Sequence, residues 1–186
     1  MPKGNGPRTM DVQFLANADI YREVVLARML TARRSLWIAS ANLKDMHVED
    51  RRGFRSVLKV LSELAGRGVD VRVLHAGVPS ERYLHSLKEA ALVRREHFTM
   101  RRCPRVHMKC VIVDGEWCFL GSPNLTGAGM GAKADHRRNF EIGVLTCDPV
   151  VRRGVETLFL DVWNGRACRP CGRKRFCPVP LEEPDF

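Results

Sequence analysis

Two kinds of apolar spacing take turns along the first half of the chain, and that alternation leaves few folds open. Between Asp19 and Arg33 the residues Ile20, Val24, Ala27 and Leu30 recur at helical intervals, and Ser35–Ser40 follows as a short buried strand. The sequence then repeats itself in kind. A second helical stretch runs over 53–68 through Phe54, Val57, Leu58, Leu61 and Leu64, and leads into the strand Val69–Leu74. Ser80–Ala91 offers a third helix with Ser80 as its N-cap. Helices that alternate with strands in this way predict an α/β/α sandwich around a mixed, mainly parallel central sheet. Further on the pattern changes. The chain turns basic and extended over 94–105, Val106–Val113 reads as a strand, Asp114-Gly115 as a hairpin turn and Glu116–Leu120 as the returning strand. A glycine-rich loop (Gly127–Gly131), a strand (Asn139–Thr146) and a closing helix (Val150–Trp163) complete the domain.

With 186 residues, 45% of them hydrophobic, there is material for one core. The expected organisation is a loose basic arm over 1–11, a catalytic domain over 12–165 and a Cys-rich basic tail over 166–186. The longest apolar runs, Val24–Leu30 and Leu36–Leu43, fall far short of the roughly 18–20 residues of a membrane span, so no stable membrane anchor is expected. Nor do the first eight residues carry the apolar segment of a secretory signal, which points to a cytoplasmic protein. Cysteine usage agrees with a reducing compartment. Of seven cysteines, an odd number, Cys103, Cys110, Cys118 and Cys147 lie within or beside strand-like segments and suit small buried thiols. The tail motif Cys168-x2-Cys171-x5-Cys177 fits a structural zinc, with Cys103, Cys147 or a histidine as fourth ligand; free surface thiols are the alternative.

Chemistry concentrates around the predicted hairpin. Strand period two puts His107 and Lys109 on one face, where the loop carrying Ser122 and Asn124 also returns. An imidazole, an ammonium, a hydroxyl and an amide are thereby grouped. Asp114 is also half of an Asp-Gly turn, which favours a structural role for it. Gly127–Lys133 resembles a phosphate-binding loop only superficially, since no Gly-Lys-Ser/Thr follows.

His107-x-Lys109-x4-Asp114, followed by Gly121-Ser122-x-Asn124 and a later Glu141, resembles the HKD motif of the phospholipase D superfamily. Phe14-Leu15-Ala16, the stretch ending in Ser35-Leu36-Trp37 and Gly68-Val69-Asp70-Val71-Arg72 are similar to that family's N-terminal half. The resemblance implies a metal-independent phosphodiesterase with no catalytic cofactor. His107 would be the nucleophile, Lys109 and Asn124 would face the phosphoryl oxygens with Ser122 adding a hydrogen bond, Glu141 would orient the imidazole, and Asp114 would act indirectly. One histidine cannot serve both sides of the phosphorus, and no second motif exists: His85-x2-Lys88 has the wrong spacing and His136-Arg137-Arg138 lacks the lysine. The chain therefore resembles single-motif members such as the bacterial Nuc-type endonucleases and the Zucchini or mitochondrial cardiolipin-hydrolase group. That likeness implies a two-fold homodimer with a shared site.

The formal net charge of +10 is confined to two windows. Residues 94–109 hold six basic side chains against Glu96, and residues 166–177 hold five against none. The first window runs into His107, so Arg101, Arg102 and Arg105, joined by Arg137 and Arg138, are expected to bind substrate phosphates. DNA or RNA is the expected partner; a cardiolipin-like lipid, or nucleic-acid binding without catalysis, are the alternatives.

Overall fold

The computed structural model describes residues 9–50 and 53–184; the first eight residues of the expected N-terminal arm lie outside them. Nine strands are found among the described residues: β1 (Gln13–Ala16), β2 (Ser35–Ser40), β3 (His47–Asp50), β4 (Gly53–Ser56), β5 (Asp70–His75), β6 (Phe98–Arg102), β7 (Cys110–Val113), β8 (Trp117–Gly121) and β9 (Ile142–Thr146). The helices are α1 (Ala18–Ile20), α2 (Val57–Gly66), α3 (Glu81–Glu89) and α4 (Pro149–Trp163). Seven strands form one mixed sheet in the order β1-β9-β8-β7-β2-β5-β6, and β3 pairs with β4 apart from it. The pairings set five of the seven strands in one direction, with only β7 and β9 reversed.

Strand alternation divides the core into two layers. Leu36 and Ile38 of β2 and Val111 and Val113 of β7 pack with α2 and α3, while Trp37, Ala39, Cys110 and Ile112 face Phe159 and Trp163 of α4. Each large apolar side chain so enclosed contributes about 1.5–3 kcal/mol, which is why both faces of the sheet must be covered. Trp37, Phe159 and Trp163 stack in series, with centroids 5.5 and 5.6 Å apart. An α/β/α sandwich results.

Local differences from the sequence reading have physical reasons. The expected helix over 19–33 is α1 followed by a wide π-type turn (Tyr21–Leu26) and a 3-10 turn (Met29–Thr31). Its buried residues are Ile20, Val24, Val25, Met29 and Ala32, a set that spreads over a wider arc than one α-helical stripe, and Ala27 is exposed. The second expected helix splits. Gly53–Ser56 pairs with β3, and α2 starts at Val57 because Ser56 caps it, its Oγ accepting from the Leu58 amide at 3.1 Å. Ser80 caps α3 as expected, accepting from the Tyr83 amide. The strand expected over 106–113 is regular only from Cys110, which leaves His107 and Lys109 on an irregular approach to β7.

Candidate active site

Strand direction decides what meets at each end of the sheet. β1, β2, β5, β6 and β8 finish at one edge, and the reversed strands β7 and β9 begin there. That edge therefore collects Asn17, Ser40–Asn42, His75–Gly77, Cys103–Lys109, Gly121–Asn124 and Asn139–Glu141. Ligands of open α/β sheets bind at such carboxyl ends. A cleft of about 540 Å³ opens here, lined by Asn42, Gly77, Arg105, His107 and Arg173 among others.

His107 is exposed at the cleft, and Lys109 Nζ stands 3.4 Å from its Nδ1 and 3.3 Å from its Nε2. Gly121, on the neighbouring strand, donates its amide to the Lys109 carbonyl at 3.2 Å and so carries Ser122 and Asn124 alongside. No side chain fits at Gly121, since a Cβ would lie 2.7 Å from the Ile142 carbonyl oxygen. Asn124 is held through its oxygen, which accepts from the Asn42 amide at 3.1 Å and from Ser40 Oγ at 3.4 Å. Its NH2 group is left as the donor. Ser40 Oγ also accepts from the Leu125 amide at 2.9 Å, fixing the turn.

Glu141 is placed differently from the expectation. Its carboxylate accepts from Ser122 Oγ and, at 3.1 Å, from Asn139 Nδ2, and its amide donates to Asn17 Oδ1 at 3.1 Å. The acid therefore braces Ser122, and the group that touches the imidazole is Lys109.

Asp114 belongs to the opposite end of β7, away from the cleft. Its carboxylate accepts from the amides of Arg33, Arg34 and Ser35 at 2.7–3.1 Å, tying the hairpin to the start of β2. Asp114 and Gly115 have φ of 56° and 63°, the left-handed pair of a tight hairpin turn. Burial pushes the acid's pKa up, but the three amides and the Arg34 guanidinium outweigh it and hold the carboxyl below its ordinary value.

The arginines separate as well. Arg105 and, from the tail, Arg173 flank His107 in the cleft. Arg101 and Arg102 are placed apart from that cleft: Arg101 Nε bonds Glu183 and Arg102 Nη1 bonds Glu182, each at 3.0 Å. Their guanidiniums are occupied by the tail's carboxylates. Arg138 is tied to the Lys133 carbonyl and to Asp135, while Arg137 is exposed on the loop beyond Ser122 and Asn124. Sequence reasoning also missed Ser40 and Asn42, whose positions follow only from where β2 ends.

The cysteines divide between core and tail. Cys110 and Cys118 are buried against α4, and burial pushes both thiols up to about 12. Cys147 is exposed, against expectation, and Cys103 is half-buried beside the tail cysteines. Among the described residues no three metal-binding side chains are drawn together as they stand. No helix among them is long and apolar enough to cross a membrane.

Comparison with known proteins decides the family. A family described as cardiolipin synthase, PLD-like domain, matches residues 25–163. The chain belongs to the phospholipase D superfamily. Cardiolipin synthase A of Pseudomonas putida is 35% identical over 133 residues, covering 69% of this chain and 25% of that protein. The chain spans only about a fifth to a quarter of the curated relatives it matches. Among solved structures, NucT from Helicobacter pylori superposes with a TM-score of 0.60 at 14% identity, covering 82% of this chain and 95% of that one. Nuc from Salmonella typhimurium, a phospholipase D family member, gives 0.58 at 18% identity, covering 83% and 95%. The fold is thus that of phospholipase D family members close to this chain in size.

Proposed function

We propose that the protein is a nuclease, a phosphodiesterase that cleaves DNA or RNA through a phosphohistidine formed on His107. The observation that carries this reading is the grouping of His107, Lys109, Ser122 and Asn124 at one edge of the sheet, where Arg105 and Arg173 line the cleft beside His107. In the first step a ring nitrogen of His107 attacks phosphorus and the P–O bond to the leaving alkoxide breaks. Lys109 and the Asn124 amide stabilise the charge on the non-bridging oxygens, as preorganised donors do. In the second step water attacks the same phosphorus and the P–N bond breaks, returning His107.

The leaving alkoxide needs a proton from the side opposite His107, and a second copy's His107 supplies it across a two-fold axis. A surface for that second copy lies next to Glu141. Phe140 is 97% exposed, Ile142 57% and Phe14 66%, and the β1–β9 register puts Phe14 and Ile142 on one face. Apolar side chains so uncovered favour self-association there.

A lipid phosphodiester is the second reading. It is favoured by the likeness to cardiolipin synthases and by an apolar cavity of about 530 Å³ beside His107. Two features favour nucleic acid: the likeness in extent to Nuc-sized chains, and an arginine pair suited to backbone phosphates. The deciding experiment sets single-stranded DNA, duplex DNA, RNA and cardiolipin vesicles side by side, with EDTA present. Cleavage of a nucleic acid that exceeds cardiolipin turnover is expected. Hydrolysis of cardiolipin alone would overturn the nuclease assignment.

A further inference from the structure

Four of the seven cysteines line one cavity. Cys103 follows β6 at the active-site edge, its amide donating to the His75 carbonyl at 2.8 Å. Cys168, Cys171 and Cys177 arrive from the tail, more than 60 residues later in sequence, and all four line the same cavity of about 530 Å³ next to His107. None is in a disulfide. The tail turns that present them are tight: the Cys171 amide donates to the Cys168 carbonyl at 3.1 Å and the Cys177 amide to that of Lys174 at 3.1 Å.

We propose that Cys103, Cys168, Cys171 and Cys177 bind one zinc ion as a tetrathiolate that pins the C-terminal tail to the active-site end of the sheet. Topology selects the fourth ligand. Cys147 follows β9 at the opposite, Asp114 end of the sheet, and Cys110 and Cys118 are enclosed in the core. Four soft thiolates suit a tetrahedral ion, with zinc–sulfur bonds of about 2.3 Å.

Charge balance supports the site independently. A zinc ion with four thiolates carries a net charge of about −2. Arg105, Arg173 and Lys174 line the same cavity and offset it. The basic residues of the tail thereby acquire a reason for being interleaved with its cysteines.

Besides the cysteines, a short backbone bridge between Arg102 and Glu182, with the Arg102 amide donating to the Glu182 carbonyl at 2.9 Å, ties the tail to β6. Leu181 packs on the α4 side of the core, and the Arg101–Glu183 and Arg102–Glu182 pairs are partly exposed. Such pairs contribute only about 0–1 kcal/mol each. The thiols surround the cavity without meeting in it, so ligation draws them inward and expels a proton from each thiol that is protonated. Metal uptake and tail docking become one event. The bound ion would keep Arg173 beside His107 without entering the reaction.

The test is the zinc content of the full-length reduced protein purified from zinc-supplemented medium, for wild type, Cys103→Ser, Cys171→Ser and Cys147→Ser. About one zinc per chain is expected in wild type and Cys147→Ser, with at least a roughly tenfold loss in the other two. Should a variant fail to fold, the metal-stripped wild type is titrated with cobalt(II), where about one equivalent must give the intense visible bands of tetrahedral thiolate coordination. A wild type that holds no zinc and takes up no cobalt, that holds iron in its place, or that loses zinc through Cys147→Ser overturns the proposal. Because the readout is metal content, a protein that binds zinc yet cleaves no nucleic acid would refute the nuclease reading and leave this one standing.

Discussion

His107 and Asp114 belong to one short sequence motif, yet they stand at opposite ends of β7 in unlike surroundings. At the His107 end the backbone is irregular, the polar side chains face a cleft, and amide and hydroxyl groups are held in place by Ser40 and Asn42. At the Asp114 end the polar group turns inward to three backbone amides and joins the hairpin to β2. A motif can thus join a reacting group to the device that holds its strand in register. Residues of equal prominence in such a motif need not share a role.

The largest difference between the two ends should appear on substitution. His107→Ala is expected to lower turnover by roughly three to six orders of magnitude while leaving the melting temperature unchanged, as measured by cleavage assay and calorimetry. Asp114→Ala should do the reverse. Loss of the carboxylate that accepts from three backbone amides at a partly exposed site costs about 2 kcal/mol, which lowers the melting point by about 4–8 °C, while turnover of the folded fraction persists. Equal loss of activity in both variants, at temperatures where both are folded, would erase the distinction.

A pH titration sharpens the same contrast. The Asp114 carboxyl is held below its ordinary value in the folded chain, so its contribution is fully present above the unfolded value of about 3.9 and is lost as pH falls through the lower, folded one. The stability gap between wild type and Asp114→Asn, followed by denaturant unfolding, should therefore narrow as the solution is acidified below about pH 4. A gap that widens on acidification contradicts the assignment. The smallest effects belong to the rim. Arg105→Ala should weaken nucleic-acid binding across all sequences and reduce the slope of log affinity against log salt by about one, whereas Arg101→Ala should leave that slope unchanged.

Much of the site was legible because its residues are close in sequence. His107, Lys109, Ser122 and Asn124 span one hairpin, and a hairpin brings its own ends together whatever surrounds it. The rest depended on distant partners. Arg101 and Arg102 read as part of a phosphate-binding run, but Glu182 and Glu183, about eighty residues on, occupy them. Ser40 and Asn42 carry no signature in their own segment; they matter because β2 ends beside β7. Glu141 was found by pattern, yet its contact with Ser122 depends on how β9 lies against β8. In the fold, the alternation of helix and strand was plain, whereas the wide turn at Tyr21–Leu26 was concealed because apolar residues at 20, 24, 27 and 30 imitate an α-helix. Only burial shows that Val25 and Met29 are the residues facing inward.

Trapping the covalent intermediate tests the nucleophile most directly. Wild-type protein is mixed with a short oligonucleotide, quenched in base, where phosphohistidine survives, and digested for mass spectrometry. The expected result is a nucleotide-phosphate adduct on His107 that is absent from His107→Ala. Continued cleavage by His107→Ala, or an adduct on any other residue, would contradict the assignment of His107 as the nucleophile.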